Sequence, residues 1–161
     1  LNPGLQKRIS VIPAPLWSIS NIRVFFADHG PSSVGYHDPP PKAGEYVGYL
    51  SRSLDDFVEK KHLSRVDFIK MDIEGAEVEA LRGAEKTIRR FRPELAVSVY
   101  HSVSDFVDVF EFISRLCLGY RFYLGHYTIH WHETVLFAVS DESATVAQTK
   151  VPPRVRRKRG D

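Results

Sequence analysis

Val66-Asp67-Phe68-Ile69-Lys70-Met71, running into Asp72-Ile73-Glu74-Gly75, is the stretch that decides the fold. A short apolar run that ends in carboxylates and a glycine reads as a buried strand followed by a sharp turn. A helix is expected next, from Ala76 to Phe91. Val78, Leu81, Ala84, Ile88 and Phe91 recur there at three- and four-residue spacing, and Pro93 marks the end. Glu94 to Tyr100 supplies a second apolar strand. Ser102 with Asp105 has the pattern of a capping box, opening a helix to Leu118 with Phe106, Phe110, Ile113 and Cys117 facing inward. Gly119 ends it. Tyr120 to Tyr127 and Glu133 to Val139 read as two strands joined by a tight turn, an antiparallel hairpin.

Upstream, Ile9 to Ile12 reads as a buried strand stopped by Pro13 and Pro15. Asn21 to Ala27 and Glu45 to Ser51 read as half-exposed strands able to pair with each other. The glycine- and proline-rich stretch from His29 to Ala43 between them reads as a loop. Ser53 is placed to cap a short helix with Asp55 and Asp56 in its first turn, where the helix dipole favours anions. From Val66 onward the order is strand, helix, strand, helix, strand, strand. Such alternation implies right-handed crossovers and an α/β fold, with a mostly parallel sheet covered by helices on both faces and an antiparallel C-terminal hairpin at its edge.

The chain has 161 residues, 43% of them apolar and 26% charged, which suits one globular domain and excludes collagen-like and wholly disordered classes. Its single cysteine, Cys117, excludes a disulfide scaffold and a cysteine-based zinc site and points to a reducing, cytoplasmic compartment. No apolar run reaches the ~18 residues of a membrane span. The formal charge of +2 is unevenly spread. Residues 153–161 hold five basic groups against Asp161, and the other 152 residues carry 17 basic and 19 acidic groups. Residues 1–150 therefore read as the domain and 151–161 as a basic, disordered tail. That tail is either a solubilising terminus or a docking strip for an anionic, phosphate-rich partner. No strand interleaves aromatic with basic residues, so a nucleic-acid partner is not expected.

In open α/β sheets, ligands bind beyond the carboxyl ends of the strands. Asp72 and Glu74 stand at one such end and His101 follows another. Two nearby carboxylates can orient a polar substrate, accept a hydroxyl proton or bind a cation. The alternative role of the same pair is to cap the following helix. Glu77 and Glu79, further into that helix, read as a solvated face. His126, His130 and His132 lack a third ligand at suitable spacing, so no metal centre is expected there.

Phe68 to Glu77 (FIKMDIEGAE), with Leu81-Arg-Gly-Ala84 and Arg92-Pro-Glu-Leu95, resembles the FkbM-type S-adenosylmethionine-dependent methyltransferases. Further likeness runs from Ile9 to Ser18, which looks like that family's third core strand and its loop, through Ser53-Leu-Asp-Asp-Phe57 to the last strand at Glu133 to Ala138. The resemblance implies a class I methyltransferase-like, Rossmann-like fold. It also implies S-adenosylmethionine as cofactor and methyl transfer to a hydroxyl of a sugar, polyketide or similar small-molecule acceptor. Carried over by position, Asp72 lies where donor and acceptor meet, with Glu74 beside it. Asp72, Glu74 and His101 become the catalytic candidates, Asp72 first. Ala14, Pro15 and Leu16 fall near the adenine.

Class I sheets have a strand order resembling 3-2-1-4-5-7-6 and open with a strand, a glycine-rich turn and a helix. No glycine cluster precedes Ile9. The resemblance therefore implies an N-terminally truncated domain whose Val66 strand is an open edge and whose 161 residues alone bind the cofactor poorly. A non-catalytic binding module on the same fold is the alternative function.

Overall fold

A computed structural model of the chain describes residues 4, 8–27, 35–36, 46–129 and 133–140. Two sheets organise them. β1 (Arg23–Ala27) lies between β2 (Gly35–Tyr36) and β3 (Tyr46–Leu50), antiparallel to both. The second sheet has four strands in the order β4 (Phe68–Met71), β5 (Glu94–Ser98), β7 (Thr134–Ser140), β6 (Tyr120–His126). β4 and β5 are parallel, with Met71 opposite Val97, and β7 runs antiparallel to both β5 and β6.

This second sheet reproduces the 4-5-7-6 half of the expected strand order. The mostly parallel sheet is not what forms: β4 with β5 is the one parallel strand pair among the described residues. The antiparallel hairpin does form the sheet's edge, with β6 outermost. β7 inserts beside β5, because Val135, Leu136 and Ala138 are buried, while β6 carries exposed Tyr123 and Leu124 to the outside. Its connection runs from residue 127 to 133, so it is no tight turn.

Strand alternation sets the core. Ile69 and Met71 point one way and are buried, whereas Phe68 and Lys70 point the other way and are exposed. On the buried side, α2 (Glu77–Arg82), α3 (Glu85–Phe91) and α4 (Val103–Arg115) contribute Ala80, Leu81, Ile88, Val109 and Ile113 to one cluster. Leu95, Val97, Leu136 and Ala138 of the sheet complete it. Helices on both faces were expected, yet these three share one face. The crossovers from β4 to β5 and from β5 to β6 step in the same direction along the sheet, and right-handed crossovers in one direction fall on one side. Full burial of a side chain such as Leu81 or Ile113 stabilises the fold by about 1.5–3 kcal/mol.

The expected continuous helix from Ala76 to Phe91 is two helices. Gly83 breaks it: a Cβ there would lie 2.1 Å from the carbonyl oxygen of Trp17, so only glycine lets the two backbones meet. α3 then lacks a side-chain cap of its own. Asp55, in α1 (Leu54–Lys60), supplies one across space, accepting from the backbone N–H groups of Lys86 and Thr87 at 3.0 and 2.7 Å. Ser53 caps α1 as expected, and Ser102 with Asp105 forms the full capping box of α4. The buried stripe of α4 is Val109 and Ile113, continued by Leu116, and not Phe106, Phe110 and Cys117. Phe110 instead covers the rim, edge-on to Phe122, and Cys117 is exposed in a left-handed turn after the helix.

Ile9 to Ile12 forms no strand, and Ile9 and Val11 are largely exposed. No described strand lies alongside to take its backbone bonds, and Pro13 and Pro15 have no N–H to offer. Pairing begins later, where Arg52 N donates to Pro15 O and Trp17 N donates to Arg52 O. Trp17 then packs with Val24 and Ala76, joining the three-stranded sheet to the turn after β4. No helix among the described residues is long and apolar enough to cross a membrane. His130, Trp131, His132 and the 151–161 tail lie outside the described residues, as does most of the 29–43 loop apart from β2.

Candidate active site

Because β4 and β5 are parallel neighbours, their carboxyl ends lie side by side, and the residues just beyond them converge. Asp72 follows β4 directly, and Tyr100 and His101 follow β5. Tyr100 OH donates to Asp72 Oδ1 at 3.0 Å. Lys70 Nζ lies 3.2 Å from Asp72 Oδ2 and donates to Ser98 Oγ at 3.1 Å. Partial burial pushes the Asp72 carboxyl up, but the Ser98 hydroxyl, the Lys70 ammonium and the Tyr100 hydroxyl outweigh it and hold Asp72 below the ordinary carboxylate value. Burial, then the bond to Asp72 and the charges of Asp72, Glu74 and Glu77, push the Tyr100 phenol up to about 12.

The turn after β4 places the other carboxylates. Glu74 and Gly75 both have positive φ, 56° and 91°, so the chain reverses sharply before α2. That reversal brings Glu74 Oε2 to 3.3 Å from His101 Nε2, with Asp72 Oδ1 at 3.9 Å from the same nitrogen. It also aims Glu77 inward. Glu77 is 1% exposed, accepts the N–H of Ile73 at 2.9 Å through Oε1, and places that oxygen 3.5 Å from His101 Nδ1. Reading Glu77 as a solvated face was therefore wrong; Glu79, paired with Arg82, keeps a surface role.

The structure thus brings together Asp72, Glu74 and His101, the three catalytic candidates. Lys70, Tyr100 and Glu77 join them. Strand periodicity held a signal for the first two, since Lys70 and Asp72 share a β4 face and Ser98 and Tyr100 follow the same two-residue step along β5. Ala14, Pro15 and Leu16 stand apart from this cluster in the described contacts. They are half-buried where the chain bridges to Arg52, and Leu16 packs against the core.

Asp72, Glu77 and His101 each offer one ligand atom within 4.8 Å of the others, a group able to hold a cation. The short contacts, however, use opposite nitrogens of the ring: Nε2 towards Asp72 and Nδ1 towards Glu77. One ion can take only one of them. The arrangement suits proton handling better than chelation.

A family model, the methyltransferase FkbM domain, matches residues 19–122. The chain belongs to that family. The match takes in Asp72, Glu74, Glu77 and His101, and it begins after Ala14 to Leu16. Among solved structures, the crystal structure of methyltransferase FkbM from Methylobacillus flagellatus KT is 28% identical with a TM-score of 0.63. The likeness covers 85% of this chain and 30% of that one. The α/β fold of an FkbM methyltransferase, expected from Phe68 to Glu77, is borne out. A comparison with curated proteins finds no match.

Proposed function

We propose that this chain carries part of the active site of an S-adenosylmethionine-dependent methyltransferase that methylates a hydroxyl oxygen on a sugar, polyketide or similar small metabolite in the cytoplasm. The observation that carries the reading is the convergence of Asp72, Glu74 and His101 at the parallel ends of β4 and β5, inside the family match. Three carboxylates against one lysine make this strand end anionic, which fits a positively charged methyl donor. When bound, S-adenosylmethionine supplies an electrophilic methyl group on a sulfonium. Asp72, with Ala14, Pro15 and Leu16 at its adenine, is the proposed holder.

The acceptor hydroxyl has to lose its proton as its oxygen becomes the nucleophile. Asp72 is fastened by Lys70 and Tyr100 and held below its ordinary value, so it serves to orient and to balance charge. His101 is the proposed proton acceptor, with Glu74 beside it to orient the hydroxyl. Residues 1–150 form the proposed domain portion. Residues 151–161 form a basic tail suited to an anionic partner.

The test uses the gene product as its native cells make it, incubated with methyl-labelled S-adenosylmethionine and a panel of hydroxylated metabolites. Label in an ether-linked methyl, reduced about 100-fold or more in His101→Gln, supports the reading. Absence of transfer to every class of hydroxyl overturns it and leaves the binding-module alternative.

A further inference from the structure

Glu77 is the least expected feature of the site. A carboxylate buried to 1% exposure costs several kcal/mol unless donors satisfy it. Oε1 has the Ile73 N–H, while Oε2 has no hydrogen-bond partner among the described residues. Facing it among the described residues is His101, whose side chain is 12% exposed and whose two ring nitrogens also lack formed hydrogen bonds. At 3.5 Å, Nδ1 stands at the outer limit of bonding to Glu77.

We propose that Glu77 is a positioning residue for His101: its buried carboxylate accepts the Nδ1–H, locks the ring, and leaves Nε2 as the nitrogen facing the strand-end opening. The surroundings fit this division. On the Nε2 side lie Glu74 and Asp72, from the β4 turn, and Tyr100 stacks against the ring with centroids 4.2 Å apart. On the Nδ1 side lies Glu77 from α2, itself fixed by Ile73. A neutral imidazole carries its proton on one nitrogen only, and both nitrogens face a carboxylate. Glu74, 35% exposed, can take its donors from water or substrate, whereas Glu77, 1% exposed, cannot. The buried acceptor at Nδ1 therefore selects the tautomer whose Nε2 lone pair is free. Nε2 then takes the acceptor proton.

The catalytic meaning of this inference rests on the methyl-transfer reading, but its structural content does not. Nitrogen-15 NMR of the 161-residue chain, at a pH where His101 is neutral, reads the tautomer directly. The expected result is Nδ1–H in the unaltered chain and a shift towards Nε2–H in Glu77→Gln. An Nε2–H tautomer in the unaltered chain overturns the proposal without any variant, so misfolding of Glu77→Gln cannot shield it. Saturable Zn²⁺ or Mn²⁺ binding that broadens His101 and disappears in Glu77→Gln also overturns it, in favour of a cation site. In the gene product that transfers label, Glu77→Gln should lower kcat about 100-fold with acceptor KM changed less than about twofold. An unchanged kcat would overturn the positioning role. An Nδ1–H tautomer with no methyl transfer by the unaltered enzyme leaves positioning intact and defeats the functional reading alone.

Discussion

Asp72 illustrates what a residue's neighbours do to it. Its ionised form is favoured by Ser98, Lys70 and Tyr100, so its folded pKa lies below the unfolded value. A depressed carboxyl contributes stability that is full above the unfolded pKa and is lost as pH falls through the folded one. The stability gap between the unaltered chain and Asp72→Asn should therefore narrow as pH falls from neutral through and below the ordinary carboxylate range. The side chain is 46% exposed, so the gap at neutral pH is small, about 0.5 kcal/mol. Urea midpoints measured at neutral pH and below that range check the sign. Tyr100 gives the opposite limb: with its phenol pushed up to about 12, its contribution is full below the ordinary tyrosine value and lost as pH rises through about 12. Tyr120, half-buried and donating to Pro93 O at 2.7 Å, is also raised to about 12 by partial burial. Phenolate absorbance should show these two ionising late, and only Tyr120 of the two in Tyr100→Phe. Asp72, Glu74 and His101 were legible in the sequence because strand ends announce themselves by apolar runs that stop at polar residues. Glu77 was not, because its burial depends on where the positive-φ turn at Glu74 and Gly75 swings the first residue of α2.

Between elements, the joint at Gly83 carries more than a helix break. The Gly83 carbonyl accepts from Asp55 N at 2.8 Å, its Cα faces the Trp17 carbonyl, and Asp55 caps α3. Three segments distant in sequence meet at that point. Asp55→Ala should destabilise the chain by about 1–2 kcal/mol, as loss of a helix cap does. Gly83→Ala adds a methyl against backbone that cannot swing aside, so about 3 kcal/mol or somewhat more is expected. Gly75→Ala meets nothing within 4 Å and pays only for its positive φ, about 1 kcal/mol. Equilibrium unfolding should rank Gly83→Ala the worst, then Asp55→Ala, then Gly75→Ala. Helical spacing located apolar residues from Ala76 to Phe91 but could not show the break, because Leu81, Ala84 and Ile88 stay buried on both sides of it. The same limit misphased α4. Its apolar residues make two stripes, and Val109 and Ile113 fit beneath the sheet while the Phe106 and Phe110 rings do not bury.

Over the whole molecule, the described sheet stops at β4, whose far edge has no strand beside it among the described residues. On the opposite face of β4, Phe68 is 55% exposed. In the strand order expected of class I methyltransferases, the glycine-rich turn that cradles the cofactor comes from strands placed beyond that edge. The acceptor side of the proposed site lies among the described residues, at the ends of β4 and β5. The segment expected at the adenine, Ala14 to Leu16, already spends the Ala14 N–H on Ile12 O and the Pro15 carbonyl on Arg52 N. The prediction is that the 161-residue chain alone binds S-adenosylmethionine more weakly than about 1 mM, which is about 4 kcal/mol of binding free energy. Calorimetric titration of the purified chain with S-adenosylmethionine reads this directly. Micromolar affinity would mean that residues on this chain make a cofactor cradle without the glycine turn. Heat that appears only when the rest of a family member's sheet is supplied as a separate chain would place the missing contacts across the β4 edge. Charges at Arg65, Asp67 and Lys70 flank the exposed Phe68 there, and such flanking charge is what keeps an unpaired strand from pairing with its own copies.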